Sequence, residues 1–307
     1  MTAELTVAPA TSRKPKTPRE PKPPLVLTPR ERAIQGLMAT AALLFLAFAL
    51  NMILVSHVQS AASQQQLRND FAVQLAEGVA PVDEGDVDRV LLRDGAPVAI
   101  LDIPAIGLQS VVVEGSSSGA TSTGPGHRRD TVLPGQRGLS VVMGRASAYG
   151  GPFSRIDELQ PGDTFSAITG QGEQIFAVIG VRLPGDPEPA REPGESRLVL
   201  ETAGGGPYMP AGVVRVDATL VSEVQAPGAR QTTAASLPAA HREMATDTGT
   251  VWALVFALQG LIAFEFALLW AGRRVGRRQL WVVFVPVGLL VSLIVTDQVM
   301  RLLPNLL

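Results

Sequence analysis

Three apolar runs, Ile34–Val55, Val251–Ala271 and Leu280–Val299, are each long enough to cross a hydrocarbon core as a helix. They bracket the chain, so the long polar stretch between the first and second runs is the only segment free to build a water-facing domain. Thr28-Pro29-Arg30-Glu31 precedes the first run. Thr28 suits an N-cap, Pro29 the first turn, and Glu31 closes a capping box, so a helix is expected to start there. The run is too long for the core of a cleaved signal peptide and carries no small-residue cleavage pattern, so an uncleaved anchor is expected.

Charge sets the expected orientation. Arg273-Arg274-Val275-Gly276-Arg277-Arg278 joins the second and third runs, and a short arginine-rich loop favours the cytoplasmic side. Residues 1–32 carry seven basic and three acidic residues and read the same way. Residues 56–250 hold 23 acidic and 14 basic residues and are expected outside. The expected organisation is therefore a disordered basic cytoplasmic tail (1–32) and transmembrane helix 1 (33–56), then a juxtamembrane helix and linker (57–95). A β-barrel domain (96–224) and a flexible Ala/Pro/Thr/Ser-rich linker (225–248) follow. Transmembrane helix 2 (249–272), a cytoplasmic loop (273–279) and transmembrane helix 3 (280–303) complete it. The protein is expected as a multi-pass protein of the cytoplasmic membrane.

Two polar residues fall inside apolar runs, Asn51 and Glu265. A carboxylate at mid-membrane costs about 2.5–3.5 kcal/mol on insertion scales. Glu265 is read either as a helix-packing or partner contact, or as a protonated or snorkelling side chain. Before the barrel, Leu67, Phe71 and Leu75 recur every four residues and Gly78 follows, the pattern of a helix with one apolar stripe.

From residue 96 the pattern turns to short apolar segments separated by Gly and Pro. They are Val98–Leu101, Ser110–Val113, Leu139–Met143, Thr164–Ile168, Gln174–Val181, Arg197–Glu201 and Val213–Leu220. Many short strands with turn signals predict an all-β barrel or sandwich. One short helical stretch, Phe153–Leu159, is expected to interrupt them.

Residue types constrain the chemistry. The chain has no cysteine, which excludes disulfides, thiolate metal sites and thiol nucleophiles. Its three histidines, His57, His127 and His241, lie far apart, so no metal site is expected and no cofactor is called for. A net charge of −2 gives no sign of a nucleic-acid partner. His127 is the one histidine among the strands. It follows Gly124-Pro125-Gly126 and is expected to bond turn backbone, with a catalytic-base role the less favoured reading.

Taken in order, residues 97–224 resemble the sortase family, in its small class D, E or F forms. Ile100-Leu101-Asp102-Ile103-Pro104-Ala105-Ile106-Gly107-Leu108 resembles the sortase first-strand signature, and Val112-Val113-Glu114-Gly115 follows in place. Gly124-Pro125-Gly126-His127, Thr131 and Pro134-Gly135 resemble the segment before the catalytic histidine. Phe153, Leu159 and Gly162-Asp163 fit beyond it, and Leu198-Val199-Leu200-Glu201-Thr202-Ala203 resembles the strand that ends at the catalytic cysteine. The resemblance implies a closed sortase-like barrel in the cell envelope.

It also implies three catalytic positions: a cysteine that attacks the peptide bond, a histidine that protonates the leaving amine, and an arginine that stabilises substrate and oxyanion. On these motifs Arg145 stands in the histidine's place, Ala203 in the cysteine's and Val213 near the arginine's, with Arg215 two residues on along the same strand face. Arg145 stays charged and cannot exchange a proton near neutral pH. The resulting expectation is a catalytically degenerate homologue, not an enzyme. It would bind a peptide or protein partner, or assist envelope assembly, through a groove formed by Arg145, Thr202, Ala203, Arg215 and His127. The alternatives are a structural membrane subunit packed through Asn51 and Glu265, or a transpeptidase with atypical residues.

Overall fold

A computed structural model of the chain describes residues 28–86, 88–272, 274 and 277–307. Most of the basic tail lies outside the described residues. Eight strands close into one barrel: β1 (Pro97–Ile103), β2 (Leu108–Glu114), β3 (Gly126–His127), β4 (Gly138–Met143), β5 (Thr164–Thr169), β6 (Gly172–Arg182), β7 (Ser196–Gly206) and β8 (Met209–Leu220). Around the barrel they run β1-β2-β3-β4-β7-β8-β6-β5, with β5 returning to β1. The β2–β3 and β4–β7 pairs are parallel and the others antiparallel.

Side-chain alternation explains the core. Leu198 and Leu200 of β7 face inward with Val142 of β4, Val216 of β8 and the stacked pair Phe165–Phe176, whose ring centroids lie 5.6 Å apart. Phe153 and Ile156 close one end. The opposite face of β4 and β7, carrying Val141, Met143, Val199 and Ala203, is also covered, which is why Val141–Met143 and Leu198–Leu200 read as unbroken apolar runs.

Seven strands match the expected segments; β3 does not. Its two residues sit in a sequence that reads as a turn, and pairing with β2 and β4 on either side makes them a strand. A Cβ at Gly126 would come within 2.2 Å of the Gly115 carbonyl oxygen, so only glycine lets β3 approach so closely. The single helical interruption also needs correcting. Besides a turn at Ile156–Glu158, a 3-10 turn spans Pro104–Ile106 and a one-turn helix α3 spans Ser118–Thr121.

Three helices are long and apolar enough to cross a membrane. The first begins with α1 (Pro29–Leu50), capped by the reciprocal Thr28–Glu31 box, and runs through a π-helical turn (Asn51–Val55) into α2 (Ser56–Glu77). The first span and the expected juxtamembrane helix are thus one continuous rod, ended by Gly78 in the left-handed conformation. α2 docks on the barrel: Phe71 is buried, and Gln64 donates to the Val111 and Thr123 carbonyls and accepts from the Val111 amide.

α4 (Val251–Ala271) and α5 (Arg277–Arg301) pack beside α1. Thr40 of α1 donates to Glu265 of α4, so Glu265 makes an interhelical contact rather than facing lipid alone. Asn51 is buried and lies 3.5 Å from Thr296 of α5.

The expected flexible linker, 225–248, instead lies along the barrel. The Gln231 and Thr232 amides donate to Glu84, and Gln225 pairs with Gly135 and Arg137. Its Pro and Ala content is compatible with an extended path, and barrel partners satisfy its backbone.

Candidate functional site

β4 and β7 lie side by side and parallel, so the residues that follow β4 meet the end of β7 on one surface. Gly144 donates its amide to the Glu201 carbonyl and leads into Arg145. Ala203 lies opposite Val213 of β8, and Glu201 opposite Arg215. The alternation of β7 sends Thr202 the other way, where its hydroxyl donates to the Gly144 carbonyl at 2.9 Å.

The floor formed by Val141, Met143, Val199 and Ala203 is covered by the chain itself. Residues 302–307, beyond α5, cross it and fold into a turn closed by the Leu307 amide on the Pro304 carbonyl, and Leu306 and Leu307 complete its apolar cluster. The Ala146 amide donates to the Leu306 carbonyl at 2.9 Å and the Ala148 amide to the Leu307 carbonyl at 3.0 Å. Asn305 is fully buried. Its Nδ2 donates to the Ser116 and Arg242 carbonyls at 2.6 and 2.8 Å, and its amide donates to Ala245 at 3.0 Å.

Arg145 lies beneath this segment with 0% of its surface exposed. Its Nη1 donates to the Pro304 carbonyl at 3.3 Å, and its Nη2 to the Ser118 carbonyl and hydroxyl at 2.9 and 2.7 Å. The Ser118 hydroxyl lies 2.7 and 2.9 Å from the Arg301 and Leu303 carbonyls, to which it donates. The guanidinium carbon stands 4.9 Å from the centre of the Tyr149 ring. Burial pushes the guanidinium down to about 10, with the nearby Tyr149 and Tyr208 acting the other way, so it remains charged at neutral pH. Arg145 was expected at the edge of an open groove, ready for a partner's carboxylate. It instead serves main-chain carbonyls from within the protein.

The remaining expected groove residues do not all gather here. His127 is 2% exposed and stands between β2 and β4, its Nδ1 2.9 Å from Glu114 and its Nε2 2.9 Å from the Val132 carbonyl. Held on both sides of its ring by a carboxylate and a main-chain carbonyl, the residue has a structural role. Arg215 shares the outer face with Ala203 but is held by Glu201 at 3.0 Å and by Glu243. Burial pushes Glu201 up to about 7. The charge of Glu243 adds to this, while Arg215 and Arg128 oppose it.

Sequence reasoning missed Ser116, Ser118, Tyr149 and Asn305. Asn305 follows a span that reads as the last element, and the two serines sit in a Ser/Gly run resembling a plain loop. The chain has only two tyrosines, Tyr149 and Tyr208, both with positive φ (52° and 58°) beside the cleft, a signal visible only in the backbone.

This fold matches known proteins. The family model described as the Sortase domain matches residues 101–208. Sortase D of Bacillus subtilis (strain 168) is 28% identical over 89 residues, 29% of this chain and 43% of that protein, so the match spans less than half of the curated relative. Among solved structures, a Clostridium perfringens Sortase D5 transpeptidase matches at 20% identity, covering 52% of this chain and 99% of its own, with a TM-score of 0.44. Sortase E1 from Streptomyces coelicolor, solved with a tripeptide in its active site, matches at 22% identity over 43% of this chain and 91% of its own, with a TM-score of 0.35.

The likeness is to the sortase domain and lies in the barrel, over residues 101–208. The match corrects the expectation that the chain is not an enzyme. That expectation rested on two positions, Arg145 and Ala203, whereas the matched family is one of transpeptidases and nothing in the barrel itself marks lost activity. What stands is narrower: with no cysteine in the chain, no step here runs through a thiol.

Proposed function

We propose that this protein is a membrane-anchored sortase-family protein that holds an extended peptide in the cleft between β4 and β7, at the outer face of the cytoplasmic membrane. The observation that carries this reading is that the cleft already holds a short backbone segment through its main-chain carbonyls. Donors from Arg145, Ala146 and Ala148 reach the carbonyls of Pro304, Leu306 and Leu307 in a chain laid over an apolar floor. Main-chain recognition of this kind accepts any extended segment, and the floor and the Asn305 slot then select its side chains. The orientation rests on the arginine-rich loop, and all three spans meet the barrel at the end away from that loop. The partner in this reading is a protein of the cell envelope that offers an extended segment.

The test uses the full chain in nanodiscs carrying Leu306→Ser and Leu307→Ser, which loosen the resident segment. A fluorescein-labelled Leu-Pro-Asn-Leu-Leu peptide should bind saturably, and adding Arg145→Met should weaken it about tenfold, the loss of one charge-assisted hydrogen bond. Mass spectrometry after adding an amine acceptor reads any acyl transfer in the same sample. Absence of saturable binding, with the barrel intact by circular dichroism, refutes the reading.

A further inference from the structure

The segment over the cleft is part of the same chain as the cleft, and it is continuous with a membrane-spanning helix. Leu303 follows α5 by two residues. It packs with Phe48 of α1 and with the cleft residues Ala148 and Tyr149, beside Met300 of α5. Asn305, Leu306 and Leu307 are then held in place. Leu306 is 0% exposed and Ala203 beneath it only 7%. The anchoring is polar as well as apolar. Asn305 reads two carbonyls that belong to separate parts of the chain, Ser116 after β2 and Arg242 in the strap before α4. Ser116 is in turn fixed by His241, whose Nδ1 accepts from the Ser116 amide and whose Nε2 stands 3.2 Å from Asp94.

We propose that residues 303–307 are a resident competitor that closes the cleft to other peptide segments, and that the cleft opens only when this segment leaves, carried by the end of α5. This rests on the peptide-binding reading for what enters the opened cleft, but not for the closure itself. α5 is the natural lever. It lies against α1 at Asn51–Thr296, and Phe264 of α4 packs against Phe284 of α5 with ring centroids 5.8 Å apart. A membrane partner that displaced α5 within this bundle would pull Leu303 and lift the segment from its donors. The protein would then expose its cleft only when engaged in the membrane.

The absence of native cysteine makes the test clean, because an introduced thiol is unique. In the full chain in nanodiscs, Ala203→Cys should react with a maleimide at least about tenfold more slowly than Met209→Cys, whose position is 73% exposed. Adding Asn305→Ala, which removes two buried hydrogen bonds, should speed labelling of Ala203→Cys about thirtyfold and leave Met209→Cys unchanged. Hydrogen exchange on the unsubstituted chain gives a second reading that does not depend on a new thiol. The Ala146 and Ala148 amides should be protected, and Asn305→Ala should release both.

Labelling of Ala203→Cys as fast as that of Met209→Cys, or unprotected Ala146 and Ala148 amides, overturns the proposal. Protection that Asn305→Ala releases, combined with no binding of the Leu-Pro-Asn-Leu-Leu peptide, upholds the closure and refutes only the peptide-binding function.

Discussion

Replacing Arg145 with methionine separates what this residue does for the fold from what it does for the cleft. The guanidinium is fully buried, has no carboxylate among its hydrogen-bond partners, and leaves its Nε without a partner. Its drop to about 10, well below the ordinary guanidinium range, means that the charged form is disfavoured in the folded protein by about 3 kcal/mol, at about 1.36 kcal/mol for each tenfold step. Methionine fills a similar volume without that charge, and a buried charge replaced by a well-packed apolar side chain is commonly neutral or stabilising. Arg145→Met should therefore leave barrel stability within about 1 kcal/mol of the parent, or raise it. Arg145→Ala leaves a hole and the same unpaired carbonyls, and should cost about 2–4 kcal/mol. Both should loosen the 303–307 segment, because the Pro304 carbonyl loses its bond to the barrel and keeps only the turn bond from the Leu307 amide. Thermal unfolding in nanodiscs reads stability, and amide exchange at Ala146 and Ala148 reads release. A loss of more than about 3 kcal/mol in Arg145→Met, equal to that of Arg145→Ala, refutes the argument, since the charge itself would then hold the fold together.

Other expectations are equally direct. A Cβ at Gly144 would lie 2.4 Å from the Phe153 ring, so Gly144→Ala should lower stability by about 1–3 kcal/mol in chemical denaturation, and combining it with Phe153→Leu should recover part of that loss. Phe176→Ala empties the centre of the barrel and should cost about 3–5 kcal/mol by the same measurement. Glu201 gives a pH signature. Its folded value near 7 lies above an unfolded value near 4.5, so the native state binds the extra proton. Its contribution is then complete below pH 4.5 and is lost as pH rises to 7, by up to about 3 kcal/mol. Glu201→Gln should flatten that slope between pH 4.5 and 7 in pH-dependent melts, and an unchanged slope places the effect elsewhere. Within the membrane, Glu265→Leu removes the acceptor of Thr40. Crosslinking between α1 and α4 should fall if that contact orders the bundle, and unchanged crosslinking assigns the order to apolar packing.

The barrel was legible in the sequence because its strands satisfy two requirements at once. β5 alternates along its length, as a strand with one covered face does, and β7 carries the unbroken apolar run Leu198–Leu200, as a strand covered on both faces does. The helix start at Thr28 was legible because a reciprocal cap is a local interaction between residues three apart. β3 was not, because two residues carry no period and their strand character comes wholly from β2 and β4. The ordered path of 225–248 and the site of Asn305 were hidden for a related reason. Their partners, Glu84, Ser116 and Arg242, lie about 60 to 190 residues away along the chain, and nothing local to either segment announces them.

Arg145 and Ala203 were read separately as two lost catalytic positions, and the structure gives them a joint meaning. A methyl group at 203 keeps the floor apolar to its end, so Leu306 and Leu307 can lie on it without desolvating a polar side chain. A guanidinium at 145 supplies fixed donors that need no change of protonation state to hold a carbonyl. Either residue alone would hold a chain less well. An apolar floor without Arg145 leaves the Pro304 carbonyl with no donor from the barrel, and Arg145 above a polar floor gains no apolar cover over its buried charge. The two positions therefore act on one buried segment, the apolar floor beneath its side chains and the donor against its backbone, and this pairing holds residues 303–307 in the cleft.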